Sequence, residues 1–148
     1  MFKTTTRGFK MKKKYLNLAL IYALVAMVGG IFFREFTKIN DFTGATALGK
    51  VHTHLFVLGM FVFLLVFLFS QTLQLEKQKT FRVFMKLYNV GLPLFVVTLL
   101  LRGILQVSGV EVSTGADAAL SGVAGITHFL VATGLVLLLL AFRKAEKR

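Results

Sequence analysis

The chain has 148 residues, of which 56% are hydrophobic, and it carries 18 Lys and Arg against 6 Asp and Glu. Its mean hydropathy of +0.76 exceeds what a water-soluble domain of this size needs for its core. The basic residues lie between and beyond apolar segments, so their pattern argues against a nucleic-acid-binding surface. The absence of cysteine excludes disulfides, thiolate metal sites and a cysteine nucleophile.

Four segments with little or no charge follow in chain order, and each is long enough to cross a hydrocarbon core of about 30 Å. They are residues 15–33, 46–75, 87–110 and 118–142. A basic arm, residues 1–14, precedes them and a basic tail, residues 143–148, follows them. A cleaved signal peptide is the weaker interpretation of the first segment, which is long for such a peptide and ends in a poor cleavage site. The short connections predict a single all-α membrane domain, an up-down-up-down four-helix bundle.

The start of the fourth segment carries a helix-start signal. Thr114, with Asp117 three residues on, has the spacing of a capping box, in which a hydroxyl accepts a bond from an early backbone N–H. We therefore expect Thr114 to cap the fourth helix and the Asp117 carboxylate to lie near its positive end.

Positive charge is distributed unevenly between the two ends of this predicted bundle. The arm, the connection between the second and third segments, and the tail hold 6, 4 and 4 Lys and Arg, whereas the other two connections hold only Arg34, Lys38 and Lys50. Cytoplasmic loops of membrane proteins carry the excess of Lys and Arg. Both termini are therefore expected in the cytoplasm.

Several polar residues fall inside the apolar segments, where an ionisable side chain is costly and needs a partner or a role. At a rise of about 1.5 Å per residue, His54 and His128 lie about 14 to 15 Å below the outer helix ends and Arg102 about 12 Å. Gln106 lies one turn above Arg102. Four polar groups from three helices therefore converge in the outer half of the bilayer.

Two histidines on facing helices at matched depth can supply both axial nitrogens of a haem iron. Gly125 and its small neighbours would leave room for the porphyrin, Arg102 would pair with a propionate, and Gln106 would help to orient the group. The leading hypothesis is therefore a b-type haem protein with His54 and His128 as ligands. Its role would be electron transfer, sensing or haem handling. We do not expect the protein to be an enzyme.

Three alternatives use the same residues. The first is a bare copper or zinc ion, which normally needs three or four protein ligands. His52 and His54 differ in direction by about 200° on a helix, so they point to opposite faces and cannot easily hold the same ion. A structural polar cluster would only fix helix packing in a small non-enzymatic membrane subunit or interaction protein. A metal-ion or proton-coupled carrier would use His52 as a second site or a proton-handling residue, together with His54 and Arg102.

A catalytic triad is excluded, because no carboxylate accompanies the histidines at their depth. The partners expected are the lipid bilayer itself and no nucleic acid. The small residues of the fourth segment would also allow a homodimer or a larger membrane complex.

Four runs of sequence resemble a family of small four-span membrane proteins of Gram-positive bacteria, which is catalogued as a domain of unknown function. They are LGKVHTHLFVLGM at 48–60, YNVGL at 88–92, RGILQ at 102–106 and ALSGVAGITH at 119–128. The resemblance spans nearly the whole chain and implies the fold and the plasma-membrane setting, without an established activity.

The pair His52 and His54 is also similar to a His-x-His pair in the catalytic subunit of haem-copper oxidases and nitric oxide reductases. There the two histidines serve two centres on opposite helix faces. This chain has only four spans and lacks the other histidines of a binuclear centre. The similarity therefore implies haem binding rather than oxygen reduction.

Overall fold

The computed structural model describes residues 6–146 of the chain, with side chains from residue 13 onward. Within these residues the chain forms four long helices and no strand. They are α1 (Thr6–Ile39), α2 (Leu48–Thr72), α3 (Lys79–Ser108) and α4 (Thr114–Glu146), with a short 3₁₀ turn at Leu75–Lys77. All four are long and apolar enough to cross a membrane, so the predicted all-α, four-span architecture is confirmed.

The helices pack in chain order: α1 lies against α2, α2 against α3, and α3 against α4. The Tyr15 hydroxyl at the start of α1 donates a hydrogen bond to the Glu76 carboxylate at 3.2 Å. The start of α1, the end of α4 and the connection 73–78 therefore lie at one end of the bundle. We call it the basic end, because Lys and Arg concentrate there. Connections 40–47 and 109–113 form the opposite end, which we call the distal end.

One glycine permits close approach at each of the three helix interfaces. A β-carbon at Gly59 would overlap the ring of Tyr22 between α1 and α2, and one at Gly103 would overlap the backbone of Leu48 between α2 and α3. A β-carbon at Gly134 would come within 2.7 Å of a tyrosine ring between α3 and α4. Small residues at such positions let helices approach and gain dispersion contacts, which drive association where lipid is as apolar as the side chains.

Aromatic side chains fill the core, and aliphatic ones cover the outside. Tyr15, Phe63, Phe84 and Tyr88 are fully buried within one cluster. Many Leu, Ile and Val side chains on all four helices are instead exposed. In water such a surface would drive aggregation, whereas in a bilayer it is the lipid-facing surface.

The helix α2 is irregular in its middle. An α-helical segment, Leu48–His54, is followed by a π-helical segment, Leu55–Phe61, before α-helix resumes. The Tyr88 hydroxyl of α3 donates a hydrogen bond to the carbonyl of Leu58 inside this segment at 2.8 Å. π-Helical segments are rare and often occur at functional sites. This one begins directly after His54, and nothing in the hydropathy pattern predicts it.

The capping prediction at Thr114 is wrong in its detail. The helix α4 begins at Thr114, but the hydroxyl of Ser113 accepts the hydrogen bond, from the backbone N–H of Ala116 at 3.3 Å. The Asp117 carboxylate does lie in the first turn of α4, as expected, and it also pairs with the Arg102 side chain of α3 at 3.3 Å. The charge of a neighbouring helix is a stronger partner for this carboxylate than the partial charge of its own helix end.

Candidate functional site

An open groove runs between α2 and α4 in the distal half of the bundle, with α3 as its floor. It has a volume of about 800 Å³. The residues that line it are Lys50 and His54 of α2, Phe95, Leu99 and Arg102 of α3, and Ser121, Ala124, Gly125 and His128 of α4. We call it the histidine groove. The structure thus brings together four of the residues singled out in the sequence: His54, Arg102, Gly125 and His128.

The ring of Phe95 contacts both groove histidines. Its centroid lies 5.3 Å from that of the His54 imidazole and 4.8 Å from that of His128, and both pairs pack edge to face. The two imidazole centroids are therefore no further apart than the sum of these distances, about 10 Å. Phe95 itself is only 4% exposed, so α3 fixes the position of this ring. Sequence analysis gave Phe95 no role, because a phenylalanine in an apolar segment carries no distinguishing signal.

The imidazole of His54 is held by its own helix. Its Nδ1 lies 2.7 Å from the carbonyl oxygen of Lys50, one turn earlier. A carbonyl only accepts hydrogen bonds, so Nδ1 carries the proton and Nε2 of the neutral ring keeps its lone pair. Ligating histidines in proteins commonly have this arrangement, in which a backbone carbonyl fixes the tautomer and the ring orientation.

The His128 side chain is exposed in the groove and makes no hydrogen bond with any residue that the structure describes. The same face of α4 is open, because a β-carbon added at Gly122 or Gly125 would meet nothing within 4 Å. Within the described part of the chain, no neighbouring helix packs closely against these glycines. The space beside His128 is therefore available to a ligand.

Arg102 lies in the groove and links α3 to α4. Its Nη2 donates hydrogen bonds to Ser121 Oγ at 2.7 Å and to Asp117 Oδ1 at 3.3 Å. Both partners face α3 because they are four residues apart on α4. The four-residue spacing of Asp117 and Ser121 could have indicated that both pair with Arg102. Sequence analysis instead assigned Asp117 to the helix start and Arg102 to a propionate. With Lys50, Arg102 makes the groove positively charged.

Gln106 lies outside the histidine groove. Its Oε1 accepts a hydrogen bond from the backbone N–H of Ala47 at 2.8 Å. Beside it, the Thr46 hydroxyl donates to the carbonyl of Gly103 at 3.2 Å. Both bonds join the start of α2 to α3, so Gln106 satisfies an N–H group that the helix start leaves unpaired.

His52 lies on the opposite side of α2 from the groove, facing α1. Its ring stacks on Phe33 with the centroids 6.3 Å apart, and a β-carbon at Gly30 would lie 3.7 Å from it. Its Nδ1 is buried and has no hydrogen-bond partner among the described residues. His52 and His54 thus point to opposite faces, and His52 belongs to a different environment.

A bare metal ion finds little support in this arrangement. Among residues 13–146, no three His, Cys, Asp or Glu side chains lie close enough together to hold one. Only His54 and His128 face the groove, whereas a bare tetrahedral ion normally takes three or four protein ligands. A group that brings its own equatorial donors matches two histidines better.

Comparison with known proteins places the chain in a family. No curated protein and no solved structure matches it. All four motifs that carry the family resemblance, from 48–60 to 119–128, fall within residues 11–145. Those residues match the family model described as "Protein of unknown function (DUF2871)", and the chain therefore belongs to this family.

Proposed function

We propose that the histidine groove binds a b-type haem, with His54 and His128 as its axial ligands. The protein would use it in electron transfer, sensing or haem handling within the membrane. One observation carries the proposal: His54, whose Nδ1 is held by the Lys50 carbonyl, shares a groove with His128, which makes no hydrogen bond to any described residue. The bound iron would supply one-electron chemistry or a binding position for a gas.

The groove suits a large, flat and mostly apolar group with an anionic edge. Its volume of about 800 Å³ lies within the usual range of small-molecule and cofactor sites. Leu99, Phe95 and the small residues of α4 give it apolar walls, and Lys50 supplies a cation for a carboxylate. Arg102 would pair with a second carboxylate by exchanging its Asp117 partner for it. Ligation of one iron by both histidines would require haem binding to displace the buried Phe95 ring, which contacts both imidazoles in this structure.

The polar contacts between helices favour this proposal over a purely structural role for the histidines. In the distal half, Arg102 joins α3 to α4, and Gln106 joins α3 to α2. The described bond of His54, in contrast, is to its own helix. Other residues therefore already make the hydrogen bonds that would fix helix packing.

The visible absorption spectrum of the detergent-purified protein tests the proposal. We expect a Soret band in the oxidised protein and sharp α and β bands after reduction with dithionite. His54→Ala and His128→Ala should each lose these bands, because loss of an axial ligand breaks the bis-histidine coordination. His52→Ala is the matched control and should keep them, since His52 lies on the other side of α2.

Two results would contradict the proposal. One is a spectrum without haem bands even after reconstitution with haemin. The other is a spectrum that survives both groove substitutions. Circular dichroism of each variant separates loss of a ligand from loss of the helical fold.

A further inference from the structure

The basic end of the bundle contains a second polar hollow, remote from the histidine groove. It forms where the connection between α2 and α3 meets the last turns of α4, and it has a volume of about 510 Å³. Lys77, Lys79 and Lys144 line it together, and no acidic side chain does. The nearby Glu76 carboxylate accepts a hydrogen bond from Tyr15 of α1. The hollow is therefore strongly cationic.

Two polar side chains in this hollow lack partners. Gln78 is only 8% exposed, lines the hollow, and has no side-chain hydrogen bond within the described residues. The Thr80 hydroxyl oxygen is buried and also has none there. Both lie at the start of α3, a 30-residue helix whose first N–H groups receive no side-chain cap. A buried hydroxyl without a partner is costly, and a helix start whose N–H groups have no side-chain cap favours an anion.

An apolar edge borders the same hollow. Val83 of α3, 38% exposed, and Leu137 of α4 line it on the side that continues along the membrane-spanning helices. A free inorganic anion would leave these side chains uncovered. An anion attached to hydrocarbon chains would cover them while its charge meets the lysines.

We propose that this hollow binds the phosphate headgroup of an anionic phospholipid. Lys77, Lys79 and Lys144 neutralise the headgroup, the Thr80 hydroxyl and Gln78 amide donate hydrogen bonds to it, and the acyl chains lie along Val83 and Leu137. Basic hollows between helices on the cytoplasmic side of membrane proteins bind anionic lipid headgroups in this way. The site is independent of the histidine groove and of any haem.

Native mass spectrometry of the full chain in detergent, titrated with phosphatidylglycerol or phosphatidylcholine, tests the site. We expect phosphatidylglycerol to bind about tenfold more tightly than phosphatidylcholine, because each Lys near the surface adds attraction to an anionic lipid. The double variant Lys79→Gln with Lys144→Gln should lose about tenfold in affinity for phosphatidylglycerol. The control, Arg82→Gln with Lys86→Gln, removes the same charge at the same end of the bundle, outside the hollow, and should lose far less.

Thr80→Val tests the hydrogen bonding apart from the charge, because it replaces a hydroxyl with a methyl group of similar size. It should weaken phosphatidylglycerol binding several-fold, because the phosphate loses a hydrogen-bond donor while the lysines remain. Equal affinity for the two lipids in the wild-type protein, or equal losses in the two double variants, would overturn the proposal. Displacement of the lipid by an equal concentration of inorganic phosphate would also overturn it, since the site would then take the free anion.

Discussion

Arg102 carries a permanent charge within a membrane-spanning helix, where a charge without a partner would cost at least a few kcal/mol. Its guanidinium reaches Asp117 and Ser121 on α4. The side chains of Arg102 and Asp117 are 34% and 58% exposed near the distal end, where we expect water or lipid headgroups to screen the pair. Partly exposed ion pairs contribute little to stability compared with buried ones.

A double-mutant cycle measures this contribution. We expect the coupling between Arg102→Gln and Asp117→Asn to be about 0.5 kcal/mol. The pair is partly exposed, and one guanidinium nitrogen contacts one carboxylate oxygen. The free energy of unfolding in detergent would be followed by circular dichroism for both single variants and the double variant. A coupling of several kcal/mol would instead show that the pair is desolvated in the folded protein.

The need for a partner at Arg102 could be predicted from the sequence, but the partner could not. Hydropathy alone places a charge at this depth and shows that something must compensate for it. Asp117 lies near the start of α4, where a carboxylate is also favourable without any contact to α3. The rotation of α3 relative to α4 decides whether Asp117 contacts Arg102 or only its own helix end. That rotation depends on packing along the whole interface between the two helices.

At the scale of single helices, glycines determine how closely neighbours approach. Sequence analysis connected close approach with the small residues of α4, where a helix or a flat cofactor would fit. The structure leaves Gly122 and Gly125 without a neighbour and puts the tight helix contacts at Gly59, Gly103 and Gly134. The face containing Gly125 was expected to receive either a neighbouring helix or a flat cofactor. Within the described residues, no helix packs against it.

Alanine substitutions distinguish the two classes of glycine. Gly103→Ala should destabilise the bundle by about 1 to 3 kcal/mol, because its methyl group would overlap the Leu48 backbone, which cannot move without separating α2 from α3. Gly122→Ala is the matched control, since its methyl group meets nothing. It should be neutral or stabilising by up to about 1 kcal/mol, because alanine is the better helix former. Thermal unfolding in one detergent compares them, and equal losses would refute the close approach at Gly103.

The π-helical segment of α2 shows what periodicity cannot predict. An apolar run of leucine, phenylalanine and valine is compatible with either an α-helical or a π-helical turn, because nearly every position is hydrophobic. The Tyr88 hydroxyl bonded to the Leu58 carbonyl is one long-range contact that accompanies the irregular turn. The direction of His54 relative to the rest of α2 therefore depends on contacts with α3 as well as on local sequence.

The architecture of the whole molecule followed from composition, because the bilayer imposes one dominant requirement. A chain must satisfy its backbone hydrogen bonds inside hydrocarbon, so four apolar segments of sufficient length predict four helices. Their short connections predict antiparallel neighbours. The groove between α2 and α4 did not follow, because it depends on how far α4 stands from α2 across the face of α3.

Orientation in the membrane is the remaining property of the whole molecule, and the chain suits a direct test because it contains no cysteine. Fourteen Lys and Arg lie at the basic end or in the adjoining arm and tail, against three near the distal end, Arg34, Lys38 and Lys50. The positive-inside rule therefore predicts that the basic end faces the cytoplasm. Single cysteines at Thr43 in the distal connection and Gln74 in the basic connection are both exposed reporters.

A membrane-impermeant maleimide applied to intact cells should label Thr43→Cys and leave Gln74→Cys unlabelled until the membrane is opened. The wild-type chain is the background control, since it offers no thiol. The reverse pattern would put the histidine groove in the cytoplasmic half of the bilayer and the lysine-lined hollow in the outer leaflet. The hollow would then have to take its anionic lipid from the outer leaflet, whereas negative surface charge is expected on the cytoplasmic leaflet. The orientation result therefore also bears on the proposed lipid site.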